Sequence, residues 1–200
     1  MRADAIVFGI AGSLFGLIIG WVLGSQQAGR SGPVAAPVAQ SAPAQQQASA
    51  QPQPVPIDPA RVTALKDIAA RNPNDAQPRV QLGNMYFDAE QYGESITWYE
   101  QALKINPRDP NVSTDLGVAF YYTNQPDKAL AQFDQSLAVD PKHIKTLLNV
   151  GIVRAFGKQD LAGAGKAWQQ VVDLSPDSPE GQAAKKGLEG IKNTQGTGAK

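Results

Sequence analysis

Residues Ala76–Pro107 read AQPRVQLGNMYFDAEQYGESITWYEQALKINP, and residues Pro110–Pro141 read PNVSTDLGVAFYYTNQPDKALAQFDQSLAVDP. The two stretches align 34 residues apart without a gap, and they share a Leu-Gly pair, an aromatic residue three positions after that glycine, and a closing proline. A third copy runs from Ile144 to Pro176 and contains one additional residue. Self-similarity at a fixed period of this length predicts an array of identical structural units.

Each copy contains two segments with helical periodicity. In the first copy, residues three or four positions apart share one face in each half: Arg79, Leu82, Gly83 and Tyr86, and then Tyr92, Ile96, Tyr99 and Leu103. A helix pair with a single apolar face cannot close a core alone, so neighbouring pairs are expected to stack. Glycine inside a helix costs about 0.5–1 kcal/mol relative to alanine. Gly83, Gly117 and Gly151 are therefore predicted to mark helix contacts too close for a Cβ atom.

These motifs resemble the tetratricopeptide repeat family. The resemblance is carried by Leu82-Gly83, Leu116-Gly117 and Val150-Gly151, by the aromatic residues Tyr86 and Phe120, by Ala129 and Phe133, and by Pro107, Pro141 and Pro176. Two residues depart from the family pattern: Ser95 stands where alanine is usual, and Arg154 stands where an aromatic residue is usual. The additional residue of the third copy is expected near Gly157–Asp160, in the turn between its two helices.

The resemblance implies an all-α solenoid of about three helix pairs with flanking helices. The predicted repeats cover residues 74–107, 108–141 and 142–176, with an N-terminal flanking helix at residues 58–73 and a C-terminal capping helix at residues 177–192. Asp58 is a predicted N-cap with Pro59 at the first helical position, and Ser178 with Pro179 opens the capping helix. Residues 193–200 are expected to be a frayed tail.

Residues Ala5–Leu23 form an uncharged stretch that is 19 residues long. As a helix it would extend about 28 Å, close to the roughly 30 Å hydrocarbon core of a bilayer. Residues 1–24 are therefore predicted to be an uncleaved transmembrane anchor; the alternative is a cleaved signal peptide. Arg2 precedes the span and only Arg30 closely follows it, so the positive-inside rule favours an inner (plasma) membrane protein whose repeats lie on the periplasmic side.

Glycine recurs at every fourth position of this span, at Gly12, Gly16, Gly20 and Gly24. Four residues correspond to about 400° of helical rotation, so these glycines form one stripe along the helix. A stripe without side chains allows a second helix to approach closely in lipid, and a homodimer is the simplest such pairing. Residues 25–57, rich in Ala, Gln and Pro, are predicted to be a disordered spacer between the anchor and the repeats.

Composition excludes several classes of function. The chain has 18 basic and 18 acidic residues, and few of either precede Asp58, so the repeat region lacks the excess positive charge of a nucleic-acid-binding domain. There is no cysteine, and His143, the single histidine, is interpreted as an exposed residue of the turn after Pro141. No catalytic, cofactor-binding or metal-ligating set is recognised, and the chain is predicted not to be an enzyme.

In the tetratricopeptide repeat family, one face of the first helix of each repeat lines a concave groove that binds peptides. The matching positions here are the candidate groove residues: Asn84, Phe87, Thr114, Val118, Tyr121, Tyr122, Lys145, Leu148 and Ile152. Tyr121 and Phe87 are the preferred aromatic anchors, and because the domain is near neutral, binding is expected to depend weakly on salt. The alternative is that several of these residues only pack between helices.

Some members of the family clamp a C-terminal carboxylate with basic and amide side chains. Asn84 and Lys145 occupy two such places, but Val80, Asp115 and Asn149 do not supply the matching groups, and Asp115 would repel a carboxylate. The sequence therefore predicts a membrane-tethered scaffold that binds another kind of protein segment, in the assembly or maturation of an envelope complex. Tetratricopeptide subunits of cytochrome c maturation systems and translocon-associated chaperone partners have a similar layout. A self-assembling structural protein is the alternative from another class.

Overall fold

The computed structural model of the chain describes residues 54–197, with side chains described as far as residue 194. The predicted anchor, its glycine stripe and most of the predicted spacer lie outside the described residues. Within residues 54–197, none of the helices combines the length and the apolar character needed to cross a bilayer.

Eight α-helices follow one another along the described chain, and each repeat contributes one antiparallel pair. The helices are α1 (Pro59–Arg71), α2 (Gln77–Asp88), α3 (Tyr92–Ile105), α4 (Pro110–Tyr122), α5 (Pro126–Val139), α6 (Ile144–Ile152), α7 (Leu161–Leu174) and α8 (Pro179–Thr197). Repeat 1 is α2 with α3, repeat 2 is α4 with α5, and repeat 3 is α6 with α7. Each helix packs against the next one along the chain, which gives the stacked arrangement predicted from the repeats.

Acidic caps begin several of these helices. Asp58 accepts hydrogen bonds from the backbone N–H groups of Ala60 (2.9 Å) and Arg61 (3.3 Å), which confirms the predicted cap of α1. Asp109 does the same for α4, where a proline again occupies the first helical position. The hydroxyl of Ser178 accepts from the N–H of Gly181 (3.0 Å) at the start of α8, as expected.

The three repeat glycines lie where a neighbouring aromatic ring leaves no space. A Cβ atom added to Gly83 would overlap the ring of Tyr99, one added to Gly117 would overlap Phe133, and one added to Gly151 would overlap Trp168. Each ring belongs to the second helix of the same repeat and is almost fully buried. The predicted close contacts are confirmed, and they fix how the two helices of every repeat face each other.

The additional residue of repeat 3 is accommodated at the end of its first helix. α6 continues into a π-helical turn at Val153–Gly157, in which the N–H of Lys158 donates to the carbonyl of Val153 (3.0 Å). In repeat 2 the N–H of Gln125 bonds to a carbonyl five residues earlier, whereas the N–H of Asp160 bonds to the carbonyl of Arg154, six residues earlier. The insertion thus begins one turn before the position predicted from the sequence, because a π turn accommodates one residue without breaking the helix.

Both ends of the array extend beyond their predicted limits. α8 continues to Thr197, so residues 193–197 are helical and the prediction of a tail starting at Asn193 is wrong. At the other end, the N–H of Val55 donates to the carbonyl of Asp88 (3.0 Å), and Ile57 packs beside the buried residues Val62 and Leu65 of α1. The last residues of the predicted spacer therefore lie against repeat 1.

Candidate functional site

The nine candidate groove residues divide into a buried group and an accessible group. Thr114, Leu148 and Ile152 have at most 3% of their surface exposed, so their prediction as partner contacts is wrong. Leu148 and Ile152 are buried because α6 has α4, α5, α7 and α8 around it, which covers most of its circumference. The six accessible residues, which we call the groove face, are Asn84, Phe87, Val118, Tyr121, Tyr122 and Lys145.

Four aromatic rings gather where α2, the start of α3 and the end of α4 meet. This aromatic cluster consists of Phe87, Tyr92, Tyr121 and Tyr122. The rings of Tyr92 and Tyr122 are stacked with centroids 4.4 Å apart and an interplanar angle of 6°. Phe87 meets both of them edge-on, at 5.2 Å from Tyr92 and 5.8 Å from Tyr122. Offset and edge-on contacts of this kind stabilise aromatic pairs beyond the area they bury.

The sequence did not identify Tyr92 as a member of this surface, because its spacing with Ile96 and Tyr99 assigned it to the core face of α3. Its position as the first residue of α3 places its ring at the rim, next to α4. Burial raises the pKa of Tyr92 to about 12, with the negative charge of Glu90 as a second cause. Burial likewise raises the pKa of Tyr121 to about 12 and is the main reason that the pKa of Tyr122 is raised. All three phenols are neutral at ordinary pH.

Charged and amide side chains lie beside the aromatic cluster. Lys145 of α6 forms an ion pair with Asp115 of α4 at 2.6 Å, and each side chain is about one-quarter exposed. The hydroxyl of Tyr99 donates to the amide oxygen of Asn84 at 2.7 Å. Partial desolvation raises the pKa of Asp88 above its ordinary range, and the charge of Asp115 adds to the shift. Asp88 and Asp115 therefore interact electrostatically across the junction of repeats 1 and 2.

A buried group of hydroxyls joins repeats 2 and 3, and we call it the hydroxyl network. Thr114 of α4 lies 2.5 Å from the hydroxyl oxygen of Thr146 of α6 and 3.1 Å from that of Ser136 of α5. The carbonyl of Pro110 lies within hydrogen-bond distance of both hydroxyls, 2.6 Å from that of Thr114 and 2.9 Å from that of Ser136. Thr114 is therefore buried because its hydroxyl takes part in contacts between helices, which explains why it is unavailable to a partner.

His143 takes part in this network, and its prediction as an exposed turn residue is wrong. The imidazole is half-buried, with Nδ1 2.6 Å from the hydroxyl of Thr146 and Nε2 3.2 Å from the amide oxygen of Asn111. An amide oxygen only accepts, so this geometry fits a neutral ring that carries its proton on Nε2. Burial lowers the pKa of His143, which agrees with the neutral form.

Gln132 of α5 is a polar residue on the buried side of its helix. It is 9% exposed, and its side-chain amide donates to the hydroxyl of Ser113 at 2.7 Å. That hydroxyl donates in turn to the backbone carbonyl of Gln132 at 3.0 Å. The pattern of apolar residues in α5 does not predict this pair of hydrogen bonds, because the pair depends on the hydroxyl of Ser113 in the neighbouring helix α4.

Among residues 54–197, no three His, Asp or Glu side chains gather as a metal-binding set. Several acidic side chains instead cap helices or form ion pairs. Asp160, for example, accepts from the N–H of Gly163 (2.8 Å) and from the guanidinium of Arg154 (2.8 Å), and these two hydrogen bonds lower the pKa of Asp160. Arg154, which stands where the family pattern has an aromatic residue, thus reaches the cap of α7.

Two family profiles match the chain: a TPR repeat over residues 83–124 and a tetratricopeptide repeat over residues 114–179. No curated protein matches the sequence. Among solved structures, the TPR domain of Sgt2 from Aspergillus fumigatus is 28% identical with a TM-score of 0.54, and the match covers 60% of this chain and 78% of that domain.

Two further solved structures contain peptides. The first TPR of Spaghetti (RPAP3), bound to the HSP90 peptide SRMEEVD, is 23% identical with a TM-score of 0.53, covering 70% of this chain and 97% of that one. The type III secretion chaperone SycD of Yersinia enterocolitica, in complex with a peptide of the translocator YopD, is 17% identical with a TM-score of 0.55, covering 60% of this chain and 93% of that one. At these identities the two structures show the fold alone. Residues 83–179 thus match tetratricopeptide repeat profiles, and the recurring glycine contacts and paired helices agree with that match.

Proposed function

We propose that the chain is a non-catalytic scaffold, tethered to a membrane, that captures an extended segment of a partner protein on its groove face. The observation that carries this proposal is the aromatic cluster, whose large rings are only half-buried although the core beneath them is closed. Partly exposed aromatic side chains on a fixed surface are typical anchors of protein interfaces. The peptides held by the Spaghetti (RPAP3) and SycD structures support the same use of this fold.

A photo-crosslinking residue in place of Tyr122 tests the proposed surface in the intact protein. Irradiation in membranes is expected to link Tyr122 to a defined segment of one partner, which mass spectrometry would identify. The same crosslinker in place of Gln170, an exposed residue of α7, is the matched control. Equal capture from both positions, or no capture from Tyr122, would contradict the proposal.

Tyr122 is the position chosen for a substitution because it lies outside the main core cluster, although its ring stacks on that of Tyr92 and the unfolding free energy of the variant must be measured as well. Phe87 and Tyr121, the anchors preferred from the sequence, pack partly against the hydrophobic core, so their removal affects stability as well as binding. Tyr122→Ala is expected to weaken capture of the partner by about 1–3 kcal/mol, in the range of aromatic interface residues. Gln170→Ala is the matched control, because Gln170 is exposed on α7.

The membrane tether is proposed from the sequence of Ala5–Leu23, whose 19 uncharged residues suffice for one span. With Arg2 on the cytoplasmic side, the repeats would face the periplasm or its equivalent. The protein is then expected to remain in membranes after alkaline carbonate extraction, with an intact mass that includes the N-terminal residues. A soluble form that starts at Ser25 would show instead that the segment is a cleaved signal peptide.

Pairing of two anchors is proposed from the glycine stripe. Gly16→Ile and Gly20→Ile would block the close approach of a second helix and weaken self-association in a two-hybrid assay for membrane helices. An unchanged signal would indicate that these glycines do not form an interface. The process that the scaffold is proposed to serve is the assembly or maturation of an envelope complex, and the identity of the crosslinked partner would test this. Capture of a cytochrome precursor would indicate cytochrome c maturation, whereas capture of a translocation subunit would indicate a chaperone role.

A further inference from the structure

The groove face is unevenly charged, although the chain as a whole carries equal numbers of acidic and basic residues. Three carboxylates, Asp88, Glu90 and Asp115, lie around the aromatic cluster and the junction of repeats 1 and 2. Asp88 is the last residue of α2, and the N–H of Glu90 donates to the carbonyl of Phe87 (2.9 Å). The charge of Asp115 helps to raise the pKa of Asp88, and that of Glu90 helps to raise the pKa of Tyr92. Only one basic residue of the groove face, Lys145, faces this group of acids.

The charge of Lys145 is already balanced within the fold. Its ammonium group lies 2.6 Å from the carboxylate of Asp115, so this pair contributes no net charge to the surface. Asp88 and Glu90 form no ion pair with another of the described residues 54–197. Both are exposed, so two negative charges remain unbalanced at the edge of the aromatic cluster.

Phe87 is adjacent to Asp88 in sequence, and Tyr92 lies two residues after Glu90, at the same end of repeat 1. Asp88 follows Phe87 in the last turn of α2, and Glu90 occupies the turn that leads to Tyr92 at the start of α3. Aromatic rings attract cations through the negative charge of their faces, and nearby carboxylates strengthen this attraction. A guanidinium group benefits most, because it stacks on a ring and donates hydrogen bonds to a carboxylate in the same plane.

We propose that the partner segment carries an arginine or lysine side chain that docks against the aromatic cluster between Asp88 and Glu90. The remainder of the segment is uncharged, because the adjoining part of the groove face is formed by Val118 and the balanced Asp115–Lys145 pair. This proposal rests on the proposed function, since it names the chemistry of the segment that the groove face would capture.

The charge of this surface also excludes one class of occupant. The HSP90 peptide bound by the Spaghetti (RPAP3) structure, SRMEEVD, has three acidic residues near its end. An acidic tail placed across this groove face would lie beside Asp88 and Glu90, where like charges repel. The same fold is therefore expected to select peptides of opposite charge in the two proteins.

Selection from a random 12-residue peptide library on the full chain, held in detergent micelles, tests the proposal. The selected peptides are expected to share one position enriched in Arg or Lys within an apolar or uncharged motif, and to be depleted in Asp and Glu. Selection against the double variant Asp88→Asn, Glu90→Gln should keep the apolar motif and lose the basic position. Asp67→Asn, a neutralised acid on the exposed side of α1, should behave like the unmodified chain.

The affinities of one selected peptide for the unmodified chain and for the double variant then measure the interaction between its basic residue and the two acids. Replacing its basic residue by glutamine is expected to weaken binding to the unmodified chain about tenfold, and to weaken binding to the double variant by less than about twofold. A shared motif without a basic position, or an equal loss with both proteins, would overturn the proposed chemistry and leave the groove as a peptide-binding surface. Failure to enrich any motif would overturn both the proposed function and this inference.

Discussion

The junction between repeats 1 and 2 and the junction between repeats 2 and 3 are built from the same helical framework but closed by different chemistry. At the first junction, the rings of Phe87 and Tyr122 meet across α2 and α4, and both remain partly exposed. At the second junction, the hydroxyls of Thr114 and Thr146 meet across α4 and α6 and are fully buried. Equivalent neighbours in a repeat array thus have different surfaces.

The difference follows from the size and polarity of the side chains. The rings of Phe87 and Tyr122, between two first helices, are not covered completely, so part of their apolar surface is exposed. Threonine hydroxyls are small enough to be enclosed, and once enclosed they must bond to one another, because an unpaired buried polar group is costly. We therefore assign partner binding to the first junction and a fixed arrangement of repeats to the second.

The largest expected effect concerns the glycine contact that both junctions depend on. Gly117→Leu should destabilise the fold by about 3 kcal/mol or more, because a side chain there would overlap the ring of Phe133 in the central repeat. Gly93→Leu is the matched control, since a Cβ atom at Gly93 meets nothing within 4 Å. Chemical denaturation of both variants measures the difference. Equal midpoints would show that the pairing of α4 with α5 is not as described.

A smaller loss is expected from breaking the second junction alone. Thr146→Val keeps the shape of the side chain but removes a hydroxyl that bonds to Thr114, Ser136 and His143. Leaving such partners unsatisfied typically costs about 1–3 kcal/mol. Thr97→Val should change the unfolding free energy little, because the hydroxyl of Thr97 is exposed and bonds only to the carbonyl of Gly93 in its own helix. Similar losses in both variants would remove the distinction between the two junctions.

The sequence was sufficient to predict everything that the repeat period determines. Leu82-Gly83 and its counterparts located the first helices, and the glycine contacts followed from the cost of glycine in a helix. Asp58 with Pro59 located the start of α1. These features depend on residues close in sequence or on packing repeated identically in each unit, so one pattern describes all three repeats.

The exposure of individual groove positions could not be predicted in the same way. Thr114 and Tyr121 lie seven residues apart on one face of α4, yet Thr114 is buried because Ser136 and Thr146 from two other helices meet it. Tyr92 joined the surface because a ring from the next repeat stacks on it. Such contacts join residues 10 to 32 positions apart, and a helical wheel drawn for one helix cannot show them.

The second junction is also expected to be sensitive to pH, unlike the first, whose phenols remain neutral. Burial lowers the pKa of His143 below its ordinary value of about 6.5, so the folded protein binds a proton less readily than the unfolded chain. The contribution of neutral His143 to the unfolding free energy is therefore complete above the pKa that this histidine has in the unfolded chain, and it is lost as the pH falls below that pKa. The midpoint of chemical denaturation should therefore decrease when the pH is lowered from about 7.5 to about 5.5.

His143→Gln provides the control for this pH dependence, because His143 is the only histidine in the chain. The variant should lose stability at pH 7.5, where it lacks the neutral imidazole, and its midpoint should change less over the same pH range. A variant with the pH dependence of the unmodified protein would mean that other groups, such as the carboxyl of Asp88, cause the change.

The smallest expected effect concerns the turns within the repeats, where the two junctions begin. Glu90, Asn124 and Gln159 occupy equivalent turn positions and have φ angles of 58°, 59° and 55°, in the left-handed region that favours glycine. The left-handed conformation destabilises the folded state by about 1–2 kcal/mol for a residue with a side chain. Glycine avoids this cost, but its greater freedom in the unfolded chain lowers the stability of the fold by about 0.5–1 kcal/mol. Gln159→Gly should therefore stabilise the fold by at most about 1 kcal/mol.

The same substitution at Gln81, an exposed residue inside α2, should destabilise the fold by about 0.5–1 kcal/mol. Opposite signs in denaturation experiments would confirm that the turn of repeat 3 keeps the conformation of the other two despite its additional residue. A loss at both positions would indicate that the π turn at Val153–Gly157 has relieved the strain at Gln159.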